Sequence, residues 1–245
     1  MTTAWFLRWS KLRWLLRSQG VGGLLEELAA RLRYHTTHRN GEIPYHVFRA
    51  QDWDRRRGVE TEEVVHQEQL DFDSPNREHA LGYIPTGQWS FRSVVGSLRD
   101  LGVRPSEFTL VDFGCGKGRV LLMALEAGFR SAIGVEFAPD LARTADANLR
   151  SYRGGRHAAS VHCGDAAVFP IPADPVVLFI ANPFTGPVLE AVAENIRRSF
   201  AEHPRAMYVV YLFPQEDSPF ARGAPFVLVE SEPLRAIYRL EAASA

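Results

Sequence analysis

The sequence predicts an α/β fold: a doubly wound, seven-stranded, mostly parallel sheet with an antiparallel last strand, preceded by a helical N-terminal extension. Three observations predict it. Apolar runs of strand length alternate with segments of 3.6-residue apolar period from residue 83 onward. One run, Val176 to Ile180, is unbroken, as a strand covered on both faces requires. The chain closes with two strand-like runs, Phe226 to Glu230 and Ala236 to Leu240, joined by a tight Ser231-Glu232-Pro233 turn.

Taken in order, residues 4 to 17 place Trp5, Trp9, Leu12 and Leu16 on one helical face among Arg8, Lys11, Arg13 and Arg17. Such a basic aromatic helix suits an anionic membrane surface or a partner, and packing on the parent domain is the preferred reading. Gly20, Gly22 and Gly23 should break it, with a second helix from Leu24 to about Tyr34. Residues 35 to 80 are polar, with Arg55-Arg56-Arg57 beside Asp52 and Asp54, and read as a solvated surface or ordered loop. Residues 1 to 80 are therefore expected to be a helical extension or lid, and 81 to 245 the main domain. Tyr83-Ile84-Pro85-Thr86 leads into a helix marked by Phe91, Val94, Val95, Leu98 and Leu101, with Thr86 as its expected N-cap. Strands are then expected from Phe108 to Asp112, Ser131 to Phe137, Ser160 to Gly164, Val176 to Ile180 and Ala206 to Phe213. Helices are expected to begin near Val120, Pro139 and Pro187.

The composition narrows the function. A net charge of −1 argues against a protein that binds nucleic acid by bulk electrostatics. Two cysteines form no disulfide framework, which points to a reducing, cytoplasmic setting. No apolar run approaches the roughly 20 residues that span a bilayer. The eight histidines show no metal-binding spacing, so no metal is expected.

The chemistry is organised around Thr109 to Val120, T-L-V-D-F-G-C-G-K-G-R-V. An apolar strand reaches Asp112 and turns through Gly114, Gly116 and Gly118 into a helix. Glycine lets a ligand approach the backbone. A dinucleotide fingerprint would need G-x-G-x-x-G, and here Arg119 stands where its third glycine belongs; a phosphate loop would need G-K-S or G-K-T. An acid just before the loop disfavours an anion and favours a cationic or zwitterionic nucleoside.

These residues resemble the seven-stranded, Rossmann-like S-adenosylmethionine-dependent methyltransferases, whose first motif is acidic-x-G-x-G-x-G. The resemblance covers roughly residues 83 to 240. Three more features fall at successive strand ends: Glu136 in G-V-E-F, Asp165 in C-G-D-A, and Asn182-Pro183-Phe184. Carried over, the resemblance implies S-adenosylmethionine as cofactor. Asp112, Gly114 and Gly116, with Cys115 between them, would hold its methionine part. Glu136, with Phe137 beside it, would hold the ribose, and Asp165 with the Ala166 N–H the adenine. The Y-x-P-T and N-P-F patterns also resemble an uncharacterised bacterial methyltransferase group. Tyr83-Ile84-Pro85-Thr86 also resembles the Y-x-P-T segment of some seven-strand protein-lysine methyltransferases, where it closes over the cofactor; Tyr83 would then border the acceptor and Thr86 the methionine end.

The N-P-F turn resembles the N-P-P-Y/F motif of amino-methylating nucleic-acid enzymes, with one proline missing, which makes a nucleobase acceptor unexpected. Asn182 and a neighbouring carbonyl would accept hydrogen bonds from an amine while Phe184 packs on it. The expected reaction is N-methylation of a protein lysine or a small-molecule amine. The alternatives are O-methylation of a small molecule and a non-catalytic cofactor-binding adaptor.

Overall fold

The computed structural model describes residues 52–70, 81–154, 158–215 and 217–242, together with nine positions between 21 and 36. The basic helix expected over 4 to 17 lies outside the described residues. Among the nine positions, Val21 and Gly22 are helical along with Leu24 and Leu25, so Gly22 does not break the chain there. Glycine is tolerated inside a helix at a cost of about 1 kcal/mol.

Seven strands form one sheet: β1 (Thr109–Phe113), β2 (Ser131–Glu136), β3 (Ala159–Cys163), β4 (Val176–Ile180), β5 (Met207–Leu212), β6 (Phe226–Glu232) and β7 (Arg235–Leu240). Their order is β3-β2-β1-β4-β5-β7-β6. β1 to β5 pair in parallel, and β7 runs antiparallel to both β5 and β6. Every residue of β1, β4 and β5 is buried, which explains their unbroken apolar sequences. The closing turn is shorter than the sequence suggests, because β6 extends through Glu232.

Helices α1 (Gln88–Asp100), α2 (Arg119–Glu126) and α3 (Pro139–Ser151) cover one face, and α4 (Gly186–Glu202) the other. The pleat of β1 divides its side chains accordingly: Leu110 joins Phe91, Val94 and Leu121 in one core, while Val111 and Phe113 join Leu189, Val192 and Ile196 in the second. Gly87, not Thr86, is the N-cap of α1, and it makes no side-chain cap.

The polar stretch before the sheet is not simply a solvated surface. A helical turn over 52–57 buries Trp53 to 1% exposure in the α1/α2 core, and Asp52, Asp54 and Thr61 are buried with it. Its charges are answered from far along the chain. Arg119 pairs with Asp54 at 3.1 Å, and Arg57 makes a bidentate pair with Glu126 at 2.6 and 2.8 Å. Asn148 of α3 donates to the carbonyls of Glu60 (3.0 Å) and Lys117 (2.9 Å) and accepts from the Glu60 N–H (2.8 Å).

Candidate functional site

β1 and β4 are neighbours from which the sheet is built outward in opposite directions. A crevice therefore opens beyond their C-terminal ends. There the chain encloses a cavity of about 790 Å³. All thirteen residues singled out from the sequence line it: Asp112 in β1 with Gly114, Cys115 and Gly116 after it, Glu136 at the end of β2 with Phe137 after it, Asp165 and Ala166 after β3, Asn182 to Phe184 after β4, and Tyr83 and Thr86 before α1.

The turn after β1 needs its glycines for packing as well as for conformation. Gly114 and Gly116 hold φ of +79° and +53°. A Cβ at Gly114 would run into Pro183, and one at Gly116 into the Tyr83 ring. The turn is thus clasped by two of the other segments that wall the cavity. Cys115 between them is buried against Gly134 of β2, and burial pushes its thiol pKa up; it is a packed thiol. Lys117 is only 7% exposed, its ammonium 3.0 Å from Glu63 and 5.8 Å from the Tyr83 ring centroid, so it is not a solvated lysine.

Two carboxylates dominate the electrostatics. Asp112 is 2% exposed and meets no hydrogen-bond donor among the described residues. Burial raises its pKa well above the usual carboxylate range, and the neighbouring Glu136 charge raises it further. Glu136 accepts from the N–H groups of Gly116 and Ala138, both at 2.8 Å. Burial still raises its pKa, against the lowering effect of those backbone donors. Each Glu136 oxygen keeps lone-pair capacity for a further donor. Asp165 accepts from the Ala167 N–H at 2.8 Å, an Asx turn that fixes the loop after β3.

Asn182 follows β4 at φ +53°, a left-handed conformation that asparagine tolerates better than most residues. Its Oδ1 accepts from Gln215 at 3.3 Å, and the Pro183 carbonyl accepts from the Leu81 N–H at 3.0 Å. Phe184 is 8% exposed and belongs to the α4 core. The Tyr83 hydroxyl donates to the Thr61 carbonyl at 2.6 Å, and burial raises its pKa.

Three further residues shape the cavity without having stood out in the sequence. His66 lines the mouth, exposed. Arg119 lines the wall, 4% exposed. Asn195 of α4 donates to the Ala166 and Phe169 carbonyls at 3.1 and 2.9 Å and so holds the loop after β3 from beneath. A histidine in a polar stretch and an asparagine in a helix carry no local signal of such roles. Among the described residues no group of histidines, cysteines and acids could hold a metal, and no helix is long and apolar enough to cross a membrane.

Residues 110–203 match the family model of a methyltransferase domain. No curated protein matches the chain. Among solved structures, the chain is similar to an RNA methyltransferase from Salinibacter ruber in complex with S-adenosyl-L-homocysteine, at 24% identity and TM-score 0.44, covering 64% of this chain and 92% of that one. It is also similar to the magnesium protoporphyrin IX methyltransferase of Synechocystis PCC 6803 with bound cofactor, at 15% identity and TM-score 0.44, covering 63% and 79%. The domain match spans the acid-and-glycine turn and the strand ends that wall the cavity, in a sheet of seven strands with only β7 reversed. Residues 110–203 thus match a methyltransferase domain, set within a sheet of seven strands.

Proposed function

We propose that this chain methylates a nitrogen, that of a protein lysine ahead of that of a small-molecule amine, with the cofactor lying across the ends of β1 to β3. The residues fit the cofactor. Asp112 is a buried carboxylate without a donor, suited to an ammonium. Glu136 is held by two backbone N–H groups with acceptor capacity left for ribose hydroxyls. Ala166 and Asp165 sit on a loop fixed from two sides, suited to the adenine edge. S-adenosylmethionine supplies a methyl group on a sulfonium. The protein's part is to align the acceptor and exclude water.

The observation that carries the choice of nitrogen is the character of the wall around Asn182. Four acids, Glu68, Asp112, Glu136 and Asp165, outnumber its one arginine, Arg119. An anionic acceptor would be repelled there. A neutral amine needs an acceptor for its N–H groups, and the Asn182 turn supplies carbonyls. Tyr83 cannot serve as base while its hydroxyl donates to Thr61. The amine must therefore lose its proton to water or on entering the cavity, where burial lowers an amine's pKa.

The test is transfer from methyl-labelled cofactor to host extract, with label counted in protein, nucleic-acid, lipid and small-molecule fractions. Asn182→Gly serves as control, because glycine keeps the left-handed turn. Methyl-lysine or methylated amine, lost with Asn182→Gly while cofactor affinity stays, is expected. A second reading, O-methylation, has His66 at the mouth as its one candidate base. Label in a base-labile ester or an ether, abolished by His66→Ala, would establish it instead.

A further inference from the structure

The cofactor carries an α-carboxylate as well as its ammonium and sulfonium, and the acids of the cavity answer only the cations. Glu68, Asp112, Glu136 and Asp165 line the walls, and Arg119 is the one arginine or lysine among the described lining residues. A carboxylate placed there unpaired would face like charge in a site of low dielectric.

Arg119 has a donor to spare. Its Nη1 donates to Asp54 Oδ1 at 3.1 Å and to Thr61 Oγ1 at 2.8 Å, and its guanidinium stacks 4.2 Å from the Trp53 ring centroid. Its Nε is buried and has no hydrogen-bond partner. A guanidinium presents five donors in a rigid fork and can bridge two carboxylates at once. Buried donors in folded proteins are nearly always satisfied, and one orphaned beside a ligand cavity calls for a partner.

We propose that Arg119 binds the carboxylate of the cofactor and, through Asp54 and Thr61, ties cofactor binding to the 52–62 segment. The same segment receives the Tyr83 hydroxyl at the Thr61 carbonyl, 2.6 Å away, and Tyr83 lies over Gly116. One arginine thus connects the methionine end of the cofactor to the segment that clasps the glycine turn. This inference rests on the cofactor placement proposed above. Glu136→Ala separates the two: unchanged affinity for S-adenosylhomocysteine in that variant overturns the placement itself.

The experiment compares binding of S-adenosylhomocysteine and of its decarboxylated form, S-adenosyl-3-thiopropylamine, by calorimetry. Wild-type protein is expected to bind the decarboxylated form about tenfold to a hundredfold more weakly, the range for a lost charged hydrogen bond. Arg119→Gln is expected to bind both alike, at the weaker value. Loss of affinity for both ligands by one factor, or a preference for the carboxylate kept in Arg119→Gln, overturns the proposal. Should Arg119→Gln not fold, hydrogen exchange on the wild-type protein decides. S-adenosylhomocysteine and not the decarboxylated form should slow exchange at the Thr61 and Glu62 amides, which donate to Asp54. Equal protection by the two ligands overturns it.

Discussion

Asp112→Asn should move stability and ligand affinity in opposite directions. The Asp112 carboxylate is 2% exposed, meets no donor among the described residues, and lies beside Glu136, so its charged form is disfavoured in the free protein. Asparagine keeps the shape and removes the charge. Removing a buried charge that has no counter-charge is worth about 1–3 kcal/mol or more, and at about 2–4 °C per kcal/mol for a chain of this size the melting temperature of the free protein should rise by several degrees. The sign with pH follows from the direction of the shift. A carboxyl whose folded pKa is raised binds its proton more tightly when folded. Its favourable contribution is therefore full below the unfolded value near 3.9 and is lost as pH rises through the raised folded value. The stabilisation by Asp112→Asn should accordingly be small in acid and grow toward neutral pH. Cofactor binding should do the reverse: affinity for S-adenosylhomocysteine falls about tenfold to a hundredfold in the variant, and in wild type it falls as pH drops through the raised carboxyl values. Melting curves across pH, with and without S-adenosylhomocysteine, measure both. A variant that melts lower without ligand yet binds normally would show that Asp112 is a structural acid, and the reasoning would fail.

Other substitutions test the frame around the site. Gly116→Ala places a Cβ in the Tyr83 ring at φ +53°, so the ring must leave and the Tyr83–Thr61 hydrogen bond breaks; a loss of about 1–3 kcal/mol in urea unfolding is expected. Trp53→Ala empties a fully packed position and unstacks Arg57 and Arg119, each 4.2 Å from the ring; about 3–5 kcal/mol should be lost, and an unchanged midpoint would show that the 52–57 turn does not bear on the core. Asn195→Ala leaves the buried Ala166 and Phe169 carbonyls without a donor, costing about 1–3 kcal/mol; weaker S-adenosylhomocysteine binding with unchanged affinity for free methionine would locate the effect at the adenine end.

The sheet was legible in the sequence because its signals are local. Val176 to Ile180 is apolar at every position since β4 is covered on both faces, and an acid stands one residue before the end of β1 and at the end of β2. The cavity walls followed from the same signal, because a strand's end in this topology is a place in space. The 52–70 segment was not legible, for an equally physical reason. Asp54 is an ordinary surface residue until Arg119, far along the chain, neutralises it, and Trp53 has no local partner that predicts 1% exposure. Thr86 was misread as a cap because a hydroxyl before a helix is a common N-cap, whereas here the cap falls one residue later, at Gly87, and the helix starts at Gln88.

Arg119 shows where reading by pattern and reading by packing part. Within the glycine turn it is only the residue that spoils a dinucleotide fingerprint, a spacing argument with no chemistry in it. In the folded chain it is a buried cation that must have counter-charge. Asp54 and Thr61 supply that from a segment with no motif at all. On the proposed placement, the acid of the turn disfavours a phosphate, and the base that opens the next helix, held from outside the sheet, would answer the carboxylate of a zwitterion. A chain with the same turn and no anchoring segment would keep the site for the cofactor's cations while its arginine, unheld, turned to solvent. The segment before the sheet is therefore expected to set the affinity for the carboxylate end, and Asp54→Asn should weaken S-adenosylhomocysteine more than its decarboxylated form.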